Sequence, residues 1–219
     1  MRLPILAGPL RGQWWLPHSR GKVLRILGGT YEPEQTRLFQ ERIAPGATVL
    51  DIGAHVGYYT LLSAVLAGTH GRVFAFEPDP VNHAFLRRHV ALNGHATVTV
   101  ENAAVSDTSG TAHFSFGSGS GTGRLSAVGA LEVRTVRIDD FCRDRSVQPG
   151  YLKIDVEGAE LSVLQGAEET IRAHLPAIFL STHGAAIHGR CLSWLRERSY
   201  TLQPIIGDDV STASEVLCT

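Results

Sequence analysis

The run ATVLDIGAHVGYYTLL, residues 47–62, decides the fold. Its apolar first half ends in Asp51 and Gly53, as a buried parallel strand would, and Tyr58 to Leu66 then reads as a helix. The rhythm repeats downstream. RVFAFEP, 72–78, is a second buried strand stopped by Pro78, and Val81 to Leu92 is a helix closed by Asn93-Gly94. TVTVENAAVS, 97–106, is a third strand. After an interruption, YLKIDVEG (151–158) is a fourth and AIFLSTHG (177–184) a fifth, with a helix over Ala159 to His174 between them. Cys191 to Arg198 is helical, and YTLQPII with SEVLCT forms a closing antiparallel pair. Strands alternating with helices predict an α/β fold, a mostly parallel seven-stranded sheet with helices on both faces.

Two segments depart from that rhythm. Residues 1–46 form a cap segment: strand and turn over 1–30, then a short amphipathic helix from Glu34 to Ile43, ended by Pro45-Gly46. Residues 107–147 form an insertion. Its β-like runs TAHFSF and LEVRTVRI flank GSGSGTGRLSAVGA, 117–130, and read as a hairpin carrying a Gly/Ser-rich loop. With no repeat and no linker, a single domain over 1–219 is expected.

Composition narrows the partners. The formal net charge of -1 offers no global pull toward nucleic acid or an anionic membrane. Cys142, Cys191 and Cys218 are odd in number and widely spaced, so a disulfide framework and a cysteine zinc site are not expected, and a reducing cytoplasm fits. The opening MRLPILAGPLRGQWW is too broken by Pro, Gly and Arg for a signal peptide, and no stretch is long enough to span a bilayer.

The turn DIGAHVG, Asp51–Gly57, sits where ligands bind in open α/β sheets. Gly53 and Gly57 let the backbone bend and approach a ligand, with Ala54 and His55 between them, and the N–H groups opening the next helix can receive a carboxylate. Glu77 follows twenty residues after Gly57 and could accept both hydroxyls of a ribose. That spacing suits NAD and S-adenosylmethionine alike. The glycines separate them: a pyrophosphate calls for G-x-G-x-x-G, and here the pattern is G-x-x-x-G. S-adenosylmethionine has no phosphate, and its sulfonium favours nearby carboxylates such as Asp51.

These residues sit in stretches that resemble the FkbM-like methyltransferases. They are GTYEPE (29–34), VLDIGAHVGYYTL (49–61), GRVFAFEPDPVN (71–82), ALNG (91–94), AVSDTSG (104–110) and YLKIDVEGAELSVLQGA (151–167). The resemblance covers most of the chain. It implies a class I, Rossmann-like methyltransferase fold, S-adenosylmethionine as cofactor, and methylation of oxygen on a sugar or natural product. Two departures stand out: His55 replaces the family's usual Asn, and Ser181-Thr182-His183 stands where the family tends to read E-x-H. Asn102 and Asp107 follow the third strand, where such folds recognise adenine; a turn role is the competing reading of Asn102. Tyr31 and Glu32 are expected to fold over the methionine end of the cofactor.

On the acceptor side, a hydroxyl must lose its proton as the new bond forms. Asp155 and Glu157 end the fourth strand, two residues apart, so a strand that continued so far would put both on one face. His183 ends the fifth. Asp155 or His183 is expected to be the base, with Glu157 orienting the acceptor and Lys153 pairing with a carboxylate. Glu160 falls in the first turn of the next helix, where an acid complements the dipole. No metal is expected, because magnesium prefers oxygen donors and the fifth strand offers no Asp or Asn there. His83, His89 and His95 are expected at the surface. The loop 117–130, with Arg124, is the expected acceptor lid. The reading is thus an oxygen methyltransferase acting on a small molecule or glycan, with the oligomeric state, a homodimer included, left open. The alternative is an inactive cofactor-binding or interaction protein of the same fold; an NAD-dependent oxidoreductase is disfavoured by the glycine spacing.

Overall fold

Buried apolar runs that stop at Gly or Pro have become parallel strands in a computed structural model of the chain, which describes residues 1–115, the backbone of 124–126, and 131–219. The chain divides into two compact units, Met1–Asn102 and Ala103–Thr219.

The first unit begins with two short antiparallel strands, β1 (Leu3–Pro4) and β2 (Trp14–Trp15), and two helices, α1 (Val23–Leu27) and α2 (Pro33–Arg42). Its core is β3 (Thr48–Ile52), α3 (Tyr58–Ala67), β4 (Arg72–Phe76), α4 (Pro80–Leu92) and β5 (Val98–Glu101). The three strands are parallel in the order β3-β4-β5, with Asp51 beside Ala75 and Phe76 beside Glu101. Val49, Leu50, Ile52, Val73, Ala75 and Phe76 are buried, as strands covered on both faces must be. α3 is apolar nearly all round and buried along most of its length. The expected surface position of His89 does not hold: it is 0% exposed. It lies on the inner face of α4 and stacks on Trp15 with ring centroids 3.8 Å apart.

The second unit holds two sheets. One is β10 (Tyr151–Ile154), β11 (Ala177–Ser181), β12 (Leu202–Pro204) and β13 (Glu215–Cys218), in the order β12-β13-β11-β10; β10 and β11 are parallel, and β13 is antiparallel to both its neighbours. The other is β6 (Ala104–Val105), β7 (Gly110–Ser115), β8 (Arg124–Ser126) and β9 (Leu131–Val136), in the order β6-β9-β7-β8. The expected hairpin is therefore part of a four-stranded sheet. The run 97–106 supplies two strands, interrupted at Asn102 and Ala103, and the second of them pairs with β9.

Helices differ from expectation at three places. α5 (Ile138–Arg145) was hidden behind the strand-like LEVRTVRI. Its signal was present: Ile138, Phe141 and Cys142 share one buried face, with acids in the first turn and arginines in the last. The expected helix over 159–174 is two, α6 (Glu160–Gly166) and α7 (Glu168–His174). Asp139 on α5 separates them: its carboxylate accepts the Thr170 N–H at 2.8 Å and the Glu169 N–H at 3.2 Å, capping α7 from another helix. α8 (Ala185–Arg196) starts six residues before the expected Cys191, because an interior glycine, Gly189, masked its first half. Among the described residues no helix is long and apolar enough to cross a membrane, and the three cysteines are buried thiols.

Candidate active site

In the first unit, β3 ends at Ile52 and the chain turns through three left-handed residues, Gly53 (φ 80°), His55 (φ 51°) and Gly57 (φ 100°). Left-handed backbone costs an ordinary residue about 1 kcal/mol and is best tolerated by Gly, Asn, Asp and His. His55, standing where the resembling family has Asn, is thus a replacement this backbone accepts. A side chain at Gly57 would also strike Leu86, 2.5 Å from its Cδ1. The turn is tied to the end of β4. Gly53 and Ala54 donate to the Phe76 carbonyl at 3.1 and 3.0 Å, and the His55 N–H donates to Glu77 Oε2 at 2.8 Å.

Glu77 is 6% exposed and holds two backbone segments at once, since its Oε1 accepts the Asp79 N–H at 2.9 Å. Burial pushes its carboxyl up to about 7, against the pull of those two N–H donors. The Asn82 side chain is a third donor to the carboxyl, so one of its four lone-pair sites remains to accept a hydroxyl proton. Asn102 donates its amide N–H to the Glu77 carbonyl at 3.0 Å, the turn role foreseen as its alternative. Asp51 is fully buried and accepts the Thr60 hydroxyl at 2.5 Å, which anchors α3 to β3. Tyr31 and Glu32 dock on the start of α3. The Tyr31 ring lies 4.5 Å from that of Tyr58, and Glu32, itself left-handed, accepts the Tyr59 hydroxyl at 2.8 Å. Burial first, then the Glu32 charge, raises the Tyr59 phenol well above its ordinary value.

Two supports of this turn were missed from sequence. His89 Nδ1 lies 2.7 Å from the Val56 carbonyl, inside the turn, while its Nε2 accepts the Leu16 N–H at 3.1 Å. The only sequence signal was its position on the apolar face of α4. Asp79 caps α4 by accepting from Val81 and Asn82, and Arg20 pairs with it at 2.9 Å. Pro78-Asp79-Pro80 is a legible helix start of the N-cap kind.

In the second unit, β10 stops at Ile154, so Asp155 and Glu157 do not share a strand face. They converge by another route, because the chain turns back through left-handed Glu157 (φ 54°) and Gly158 (φ 102°). His183 follows β11, and its Nε2 lies 3.7 Å from Asp155 Oδ1 and 3.6 Å from Glu157 Oε1. Lys153, 4% exposed, places its ammonium 3.4 Å from Asp155 Oδ2. The other ring nitrogen, Nδ1, is 2.7 Å from Glu160 Oε1, which also accepts the Gly158 N–H at 3.0 Å. Glu160 is 0% exposed. This bond, followed by the Asp155 and Glu157 charges, raises the His183 imidazole above its ordinary value, while burial raises Glu157. Sequence reasoning gave Glu160 only to the helix dipole.

Asp155, Glu157 and His183 bring possible ligand atoms within 4.8 Å of one another, and a divalent cation could be held there. Lys153 already supplies a cation to that group. Asp107 lies exposed in this unit and accepts the Ser106 hydroxyl at 3.1 Å. Thr182, in the departure from E-x-H, pairs with His188 Nδ1 at 2.8 Å, and His188 Nε2 lies 2.8 Å from the Val210 carbonyl. The expected lid, 117–130, falls outside the described residues except for the backbone of 124–126; the Arg124 side chain is outside them too.

The methyltransferase FkbM domain is matched over residues 51–202. The chain belongs to the FkbM methyltransferase family. Among FkbM relatives, the hexuronic acid methyltransferase AglP of Haloferax volcanii is 28% identical over 155 residues, covering 69% of this chain and 63% of AglP. The 31-O-demethyl-FK506 methyltransferase FkbM of Streptomyces tacrolimicus is 28% identical over 196 residues, covering 73% of this chain and 75% of that one. The solved FkbM methyltransferase of Methylobacillus flagellatus aligns with a TM-score of 0.58 at 20% identity, over 90% of this chain and 52% of that one. The chain thus spans under two thirds of AglP and about half of the solved FkbM protein. Further solved S-adenosylmethionine-dependent methyltransferases share the fold at TM-scores of 0.52. The α/β fold is that of the class I methyltransferases, as expected for an FkbM domain.

Proposed function

We propose that the protein is an S-adenosylmethionine-dependent O-methyltransferase whose acceptor is a hydroxyl on a small molecule, sugar or natural product. The observation that carries this reading is the acid–histidine group beyond β10 and β11: an imidazole nitrogen faces two carboxylates. Transfer to a carboxylate would need no base, whereas a hydroxyl requires one. The names of AglP and of the S. tacrolimicus FkbM place their substrates among sugar acids and natural products, in support of a small-molecule or sugar acceptor. The net charge of -1 supports an acceptor other than nucleic acid, and three unbonded thiols suit a reducing cytoplasm.

The residues of the first unit fit the cofactor. Glu77 keeps one acceptor site for a ribose hydroxyl beyond its bonds from His55, Asp79 and Asn82. The first turn of α3 carries no acid of its own, and a helix N-terminus suits a carboxylate. In this reading Asn102 serves the adenine side, Tyr31 and Glu32 the methionine end, and Asp51 the field around the sulfonium. When bound, the cofactor supplies an electrophilic methyl group. Asp155 or His183 then takes the acceptor's proton and Glu157 orients the acceptor.

Isothermal titration with S-adenosylmethionine, then methyl transfer from labelled cofactor to a panel of uronic acids and macrolides, tests this reading. Binding and transfer to oxygen are the expected results. Absence of binding at millimolar cofactor defeats it. Binding without transfer to any acceptor leaves the inactive-protein alternative in its place.

A further inference from the structure

The cluster in the second unit distinguishes its two candidate bases. Asp155 has one oxygen 3.4 Å from a buried ammonium, that of Lys153, so its charge is already answered. His183 is held differently. Its Nδ1 meets Glu160 Oε1 at 2.7 Å. Glu160 is fully buried, and its Oε2 has no hydrogen-bond partner among the described residues. A buried carboxylate accepts and cannot donate, so the proton of that bond belongs to the imidazole. A carboxylate on one ring nitrogen fixes which tautomer is present and sets the ring's orientation.

We infer that Glu160 is a positioning residue: it holds neutral His183 as the Nδ1–H tautomer and directs the Nε2 lone pair toward Asp155 and Glu157, making His183 the proton acceptor. This rests on the proposed O-methyltransferase reading. In the step, the acceptor oxygen forms its bond to the methyl carbon. The donor's carbon–sulfur bond breaks with the electron pair kept by sulfur, and the hydroxyl proton passes to Nε2. The imidazolium so formed sits 3.7 Å from Asp155, 3.6 Å from Glu157 and 2.7 Å from Glu160, three acids that favour it. Lys153 opposes it from beyond Asp155, and His188 is held apart by Thr182 and Val210. The side chain of His183 is 36% exposed, which gives the proton a way out to water.

Nitrogen-15 NMR of the imidazoles, with His183 assigned by its loss in H183A, reads the tautomer in the unmodified protein. Above the titration of its ring, a neutral His183 protonated at Nδ1 is expected. In E160Q its titration should move down by about one pH unit, as expected on losing a carboxylate partner. The acidic limb of kcat should move with it, while the cofactor Kd stays unchanged. Protonation at Nε2 in the wild type overturns the inference, and that measurement does not depend on E160Q folding. So does an unshifted titration in a folded E160Q, or turnover lost on chelation and restored by Mn2+, which would put an ion on Nε2. If the tautomer is as expected but no acceptor is methylated, the O-methyltransferase reading fails and the Glu160–His183 pair stands.

Discussion

Lowering the pH from 8 to 5.5 should weaken S-adenosylmethionine binding about thirtyfold through one carboxyl group, Glu77. Its carboxyl is pushed up to about 7 by burial. A ribose hydroxyl donates best to the ionised form, so binding selects the carboxylate and releases a proton below that value. At pH 5.5 roughly 3% of Glu77 is ionised, and affinity falls by that fraction, about 2 kcal/mol. The same shift acts on the unliganded fold with the opposite sense. A carboxyl raised in the folded state stabilises most below its ordinary value of 4.5, and that contribution, at most about 3 kcal/mol, is lost as pH rises through about 7. Calorimetric titration in two buffers of different ionisation enthalpy reads both the Kd and the released proton. Glu77→Gln should bind weakly with no proton release from this site, and the difference between the two proteins separates Glu77 from the ligand's own ammonium group. Equal proton release by wild type and variant would refute the reasoning.

Three further outcomes follow from packing. His89 is held neutral, its imidazole pushed down by burial to about 4; stability from it is present above its ordinary value of 6.5 and lost as pH falls, about 2 kcal/mol by pH 5, a loss His89→Leu should not share in urea denaturation. Gly166→Ala would drive a methyl into the Ser106 carbonyl, a backbone atom that cannot swing aside; about 3 kcal/mol of stability should go, read as a lowered denaturation midpoint. Asp139→Ala uncaps α7 and strands the Thr170 N–H, so a cost of about 2 kcal/mol is expected by the same measurement.

The parallel strands and α3 were legible because each is a buried apolar run bounded by residues that cannot continue it. Gly53, Gly57 and Pro78 are such stops, and the start of α3 after Gly57 needed no tertiary knowledge. α5 was masked because Leu131, Val133 and Thr135 set a strand period just ahead of its first turn. The break at Ala167 could not be read from the helix itself, since its cause is Asp139, about thirty residues earlier. The convergence of Asp155 and Glu157 was expected from a strand period and occurs through a left-handed turn instead.

Local sequence was enough to determine the turn after β3. Backbone conformation at Gly53, His55 and Gly57 depends on the residue types present there, and a carboxylate ending β4 reaches the neighbouring parallel strand's turn by register alone. Tertiary structure decided what the acids and histidines do. Glu160 reads as a helix-start acid along the chain and becomes the partner of His183, twenty-three residues away, only when the residues after β10 and β11 meet. His89 reads as one more helix histidine until Trp15 and Val56 close around it. An ionisable side chain takes its protonation and its role from the dielectric and partners around it, and those are set by contacts no local pattern encodes.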